Sequence, residues 1–284
     1  MAAPAFKESR FSRIDYAEAC RDSPQGLVGY ATQGERIKRL ESLLRKESSA
    51  KLVTYNRYLL RYLLDHFDLD ESRLKLPDSV RRLYPAELDR ISEQLSSFEH
   101  EYFSFDADPF VKDVALLTHR LLPVGAEFVS PQSGLSRKVI FCGGLLQSAR
   151  FLRCIAQMGS SKPLLELHMH PLVTGNFNPN GWLDTYDHLA DLLLANDKFL
   201  GIQSTSWFLD PQVKTISPHL AYLREVPELC GARFFYVTTD LTGNSGALTR
   251  STHRRRLFEA GLYRPRLYLR IWPREDLLKR GWRS

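Results

Sequence analysis

Two hydrophobic periodicities share this chain, and the change between them at Asp106-Ala107-Asp108-Pro109 does most to restrict its fold. Before that point apolar residues recur every three to four positions. Ile37, Leu40, Leu43 and Leu44 form one set, and Tyr55, Leu59, Tyr62 and Leu63 a second. A third set, Leu88, Ile91, Leu95, Phe98 and Tyr102, follows a Pro85 suited to a first helical turn. That spacing gives each of three helices one apolar stripe. After Pro109, short apolar runs bounded by Gly and Pro alternate with amphipathic stretches, the pattern of strands and helices in layers. The expected fold is α/β, a layered mixed sheet flanked by helices, with a helical N-terminal portion. Residues 1–30 should be an irregular arm, 31–108 the helical portion, and 109–284 the α/β domain carrying the site.

Within that last stretch strands are expected at residues 126–129, 138–142, 164–170, 199–207, 232–238 and 266–272. Helices are expected at 145–158, 182–195, 218–225 and 247–260, the last ended by Gly261. Residues 111–122 fit either type. In the final strand Arg266, Tyr268, Arg270 and Trp272 alternate with Leu267, Leu269 and Ile271, which gives a cationic, aromatic face suited to an anion or to packing stems on a helix.

With 43% hydrophobic and 25% charged residues, the chain has the composition of a globular protein with a full core. It has no apolar run near the roughly 18 residues that span a bilayer, and Met1 to Arg10 lack the apolar stretch expected of a secretory signal. A small-molecule substrate and the cytoplasm are therefore the expected partner and location. Cys20, Cys142, Cys154 and Cys230 are too scattered for a disulfide framework or a Cys-rich zinc site and should be reduced. Of the net charge of +6, residues 250–284 carry +8, densest at His253-Arg254-Arg255-Arg256. A solvated basic face is the simplest reading. The alternative is a non-catalytic protein whose Arg-rich end docks nucleic acid or a partner, though no zinc-finger or aromatic RNA-binding signature is present.

Residues 165–172 read Leu-Glu-Leu-His-Met-His-Pro-Leu. On a strand, Leu165, Leu167 and Met169 share one face and Glu166, His168 and His170 the other. The first face should be core and the second chemistry, at the mouth of a Pro, Gly and Asn-rich loop. Two chemistries are open. Same-face neighbours about 6.6 Å apart allow His168 and His170 to share a zinc or iron ion for hydrolysis or oxidation. A third ligand would then come from His119, Asp184, His188 or Asp210. Alternatively, Glu166, His168 or His170 acts as a general base without metal. Ser204-Thr205-Ser206-Trp207 lacks the glycines of a nucleophile elbow, and its hydroxyls are expected to bond within the sheet.

Residues 164–238 run strand, polar loop, helix, strand, helix, strand. In that order they resemble the second half of a GNAT-type acyltransferase. The resemblance implies transfer of an acyl group from acyl-CoA to an amine, with Glu166 or His168 as base. It makes residues 164–170 the catalytic strand and 201–207 the strand that splays from it to admit pantetheine. It also implies that the loop of residues 173–181 and the helix behind it hold the pyrophosphate, with Gly175, Asn180, Gly181 and Trp182 as the candidate contacts. An open helix N-terminus attracts anions in any case. Tyr222 would match a hydroxyl near the leaving thiolate.

Overall fold

The computed structural model describes residues 11–21, 29–96, 100–170 and 175–283. Phe98, most of the expected N-terminal arm, and Val173 and Thr174 of the expected phosphate loop lie outside the described residues. The chain divides into two compact units, Met1–Arg73 with Arg81–Pro123, and Leu74–Val80 with Val124–Ser284.

The first unit holds the helices Glu35–Glu47, Ser49–Asp65, Tyr84–Ser96 and Asp108–Leu117. The stripes serve in part: Ile37, Leu44, Tyr55, Leu59, Leu63 and Ile91 are buried, whereas Leu43 is 40% exposed and Tyr102 lies past the end of the third helix, in the 3-10 turn His100–Tyr102. The ambiguous stretch 111–122 is helix to Leu117 and then the two-residue strand β1, Leu122–Pro123. Every residue from Phe110 to Leu117 is buried, the charged Lys112 and Asp113 included, so the helix's polar positions do not mark a wet face. One of those residues is Asp113, whose fully buried carboxylate accepts two bonds from Arg90, at 2.6 and 3.0 Å, and one from the Tyr102 hydroxyl.

Among its described residues the second unit has the strands β2 Glu127–Ser133, β3 Leu164–Met169, β4 Gly201–Ser206, β5 Arg233–Thr239 and β6 Arg266–Pro273. They lie in one sheet in the order β2-β3-β4-β6-β5. Pairing is antiparallel except between β3 and β4. That parallel pair is joined through the helix Pro179–Ala195, as a parallel connection requires. Phe151 and Cys154 of the helix Gly144–Met158 form one core with Leu164, Phe235, Leu269 and Ile271. On the other face Tyr186 of the helix Pro179–Ala195 meets the Trp272 ring edge-on at 5.1 Å. The sheet is thus covered on both sides, and residues of opposite parity on β6 serve opposite layers.

Four expected elements come out differently. Part of the stretch read as an irregular arm is the helix Arg13–Arg21, which buries Tyr16, Ala17, Ala19 and Cys20. Residues 138–142, read as a strand, lie in the short 3-10 helix Arg137–Phe141, where Val139 is buried and Phe141 is 85% exposed. An apolar run with one buried member does not make a strand face. Residues 247–260 form two helices, Gly246–Thr249 and Thr252–Glu259, because the Ser251 hydroxyl caps the second by accepting from the Arg254 amide. Residues 218–225 are a 3-10 turn, Pro218–Leu220, followed by the helix Tyr222–Leu229.

Candidate functional site

β3 and β4 pair at Leu165 with Ile202 and at Glu166 with Gln203, and no further pair forms. Each is held firmly on its outer side. β2 registers with β3 from Glu127↔Met169 to Ser133↔Leu164, and β6 registers with β4 from Gly201↔Pro273 to Ser206↔Tyr268. With outer partners retained along their lengths, the two strands follow the twist of separate neighbours and part on the inner side. Backbone groups of residues 167–169 and 204–206 there fall outside the β3–β4 ladder.

A cavity of about 120 Å³ occupies the parting. Leu167 and Met169 line it from β3, Ser204 and Ser206 from β4, Glu127 from β2, Arg270 from β6 and Trp182 from the helix Pro179–Ala195. Leu209 and Leu223 supply more of its apolar wall. Glu127 is 6% exposed and Arg270 1%. The Arg270 guanidinium lies 5.8 Å from the Trp182 ring centroid and 5.9 Å from that of Tyr186. Its Nε and Nη1 are buried and have no hydrogen-bond partner among the described residues. Burial pushes the Tyr186 hydroxyl up to about 12, an effect that nearby Arg270 opposes.

The polar face of β3 lies elsewhere. Leu164, two residues before Glu166, is in the core with the helix Gly144–Met158, so Glu166 and His168 point to that side. The cavity opens on the leucine face, the reverse of the assignment made from alternation alone. Burial raises the Glu166 carboxyl, and a hydrogen bond from Ser133 partly offsets the shift. His168 is half-buried, and His170 is buried with its ring 4.4 Å from Phe128.

No group of three His, Cys, Asp or Glu side chains able to hold a metal assembles among the described residues. Each suggested third ligand has a contact of its own. His119 Nε2 is 2.9 Å from the Asp68 carbonyl, and His188 Nδ1 is 3.1 Å from that of Val124. Asp184 faces Arg283 at 3.6 Å, and Asp210 accepts from the amides of Gln212 and Arg266.

The loop before the helix Pro179–Ala195 is organised by Asn178. Its side-chain oxygen accepts from the Gly181 amide at 3.0 Å, its side-chain nitrogen donates to the Gly175 carbonyl at 2.7 Å, and its own carbonyl accepts from the Trp182 amide at 3.1 Å. Gly181 is required for packing, since a Cβ there would collide with the Asn176 carbonyl. Asn180 occupies the first helical turn. Two of the four residues singled out for phosphate, Gly181 and Trp182, thus spend their amides inside the loop, while the Trp182 ring faces the cavity.

Tyr222 opens the helix Tyr222–Leu229, next to the cavity-lining Leu223. Its hydroxyl is buried without a hydrogen-bond partner among the described residues, and burial pushes it up to about 12. The Arg-rich segment divides by residue. Arg254 is buried, donates to the Ala247 carbonyl and to Ser217 Oγ, and lies 4.6 Å over the Trp207 ring, whereas Arg256 is exposed. The solvated basic face expected there therefore excludes Arg254, which holds the fold.

Glu127 was missed in the sequence because an acid at the start of a strand carries no distinguishing mark. Arg270 stands on the cationic, aromatic strand face that alternation marks as suited to an anion, although its burial is a tertiary fact.

No family model matches the chain, and no curated protein matches its sequence. Among solved structures it is similar to an acyltransferase in complex with decanoyl-CoA, with a TM-score of 0.42 and 12% identity over 86% of this chain and 85% of that one. Among the described residues no helix is long and apolar enough to cross a membrane.

Proposed function

We propose that the protein transfers an acyl group from an acyl-CoA to an amine, in the manner of GNAT-type acyltransferases. The observation that carries this reading is the parting of β3 from β4 after two residue pairs, with a lined cavity in the gap. An extended arm bearing amides, such as pantetheine, pairs with strand edges as an added strand would, and two inner edges flank this gap.

In this reading the amine nitrogen attacks the thioester carbonyl carbon. The C–N bond forms, the C–S bond breaks, and sulfur leaves with the bonding electrons. Glu127, in the cavity wall, takes the proton from nitrogen in preference to Glu166 or His168 on the far face of β3. Tyr222, protonated at any working pH, donates toward the thiolate. Gly175, Asn180 and the helix start at Pro179 are left to meet the phosphates, where the N-terminal dipole favours anions.

Thermal unfolding with CoA and with acetyl-, octanoyl- and palmitoyl-CoA tests the reading. A ligand at about 100 times its Kd stabilises the folded state by about 2.7 kcal/mol. Stabilisation by CoA, reduced in Ser204→Trp, which fills the gap, together with amine-dependent thiol release is the expected result. No stabilisation by any of the four sinks the proposal.

A further inference from the structure

We infer that the acceptor is an amino acid, a molecule with a carboxylate beside its amine, and that Arg270 receives the carboxylate. The inference rests on the acyl-transfer reading of the same cavity and names its second substrate. An arginine that is 1% exposed, with Nε and Nη1 unpartnered among the described residues, leaves two donors of a desolvated cation unsatisfied. Charges in protein interiors are paired, because an isolated one loses its hydration and gains nothing in return. Here the guanidinium lines a cavity, so an anion can reach it from the ligand side. The guanidinium fork matches the two oxygens of a carboxylate in one plane.

The other groups complete a zwitterion's complement. Glu127 lines the same cavity and offers an acceptor for the ammonium. Ser204, the register partner of Arg270 across β4 and β6, adds a hydroxyl beside the fork. Leu209 and Leu223 give a side chain an apolar wall. The ammonium releases one proton before attack and the amide nitrogen a second, of which the departing thiolate keeps one. The products are an N-acyl amino acid, CoA thiol and one free proton.

The test compares each standard amino acid with its decarboxylated amine, such as L-leucine with 3-methylbutylamine, using the acyl-CoA that gives the fastest thiol release. The expected kcat/KM for the best amino acid exceeds that of its amine by about a hundredfold, since a site built for a polar group rejects the analogue that lacks it. In Arg270→Gln that ratio should collapse toward one while stabilisation by CoA is unchanged, and Arg270→Lys should fall between. Equal rates for acid and amine in the unmutated protein overturn the inference, with no variant needed. So does an Arg270→Gln protein that keeps the ratio but loses stabilisation by CoA, which would assign the guanidinium to a donor phosphate. Amino-acid stabilisation of the CoA-free protein, lost in Arg270→Gln, is read separately. Its presence without any CoA effect upholds the carboxylate site while refuting acyl transfer, and its absence together with no selectivity refutes the carboxylate site.

Discussion

Replacing Arg270 with Met should make the ligand-free protein more stable, because the native residue is held in place for its ligand. Exchanging a whole buried ion pair for apolar residues of similar volume is neutral to stabilising by about 1–4 kcal/mol, and a cation with unsatisfied donors and no ion-pair partner should follow the same direction. Against this stands the attraction of the guanidinium to the Trp182 and Tyr186 faces, 5.8 and 5.9 Å away. Such contacts contribute about 0.5–2 kcal/mol. Met is unbranched and flexible enough to follow the arginine stem between those rings. The net expectation is a gain of about 1–2 kcal/mol. For a domain of about 150–250 residues each kcal/mol moves Tm by roughly 2–4 °C, so a rise of about 2–8 °C follows. Urea unfolding without ligand measures it, read as a higher midpoint at unchanged slope. A loss of more than about 1 kcal/mol would mean that the guanidinium is already compensated in the empty protein. The case for an anionic ligand would then fall with it.

Three further outcomes follow from individual side chains. Tyr222→Phe removes a buried hydroxyl that has no partner among the described residues, so urea unfolding should show no loss and up to about 1 kcal/mol gained, while kcat for transfer falls by about tenfold or more. Glu166→Gln should raise Tm at neutral pH and not at acid pH. Burial lifts the folded-state carboxyl above its ordinary 4.5, the folded form holds the proton more tightly, and stability is lost as pH rises through that window. Parallel Tm–pH curves for the two proteins would contradict this. Arg254→Ala should cost about 2–3 kcal/mol by urea unfolding, through its bonds to Ala247 and Ser217, against less than about 0.5 for Arg256→Ala on the exposed side of the same helix.

The layered fold could be read from the sequence wherever one face of an element is buried and the other wet. The helices at Ile37–Leu44 and Tyr55–Leu63, and the strands β3 and β6, follow their periodicities because packing set those periods. The readings fail where burial is all or nothing. Residues 110–117 are buried throughout, Lys112 and Asp113 included, so charge there does not signal exposure, and residues 137–141 show an apolar run that surface exposure leaves without a face. Ser251 had the chemistry of a cap and divides a helix that apolar spacing alone had joined.

The site was less legible than the fold, for a reason visible at β3. Alternation correctly sorts Glu166 and His168 from Leu167 and Met169, yet it cannot say which face a cavity will occupy. That is decided by β4, which leaves β3 after Gln203 while both keep their outer partners, and so opens space beside the leucines. Apolar residues at the parting line the path of a ligand instead of filling a core. The polar groups that finish the cavity then have to come from other strands. Glu127 lies opposite Met169 on β2 and Arg270 opposite Ser204 on β6, which places both beside the gap through register. A residue's availability for chemistry here depends on strand neighbours far away in sequence, so no local motif carries it.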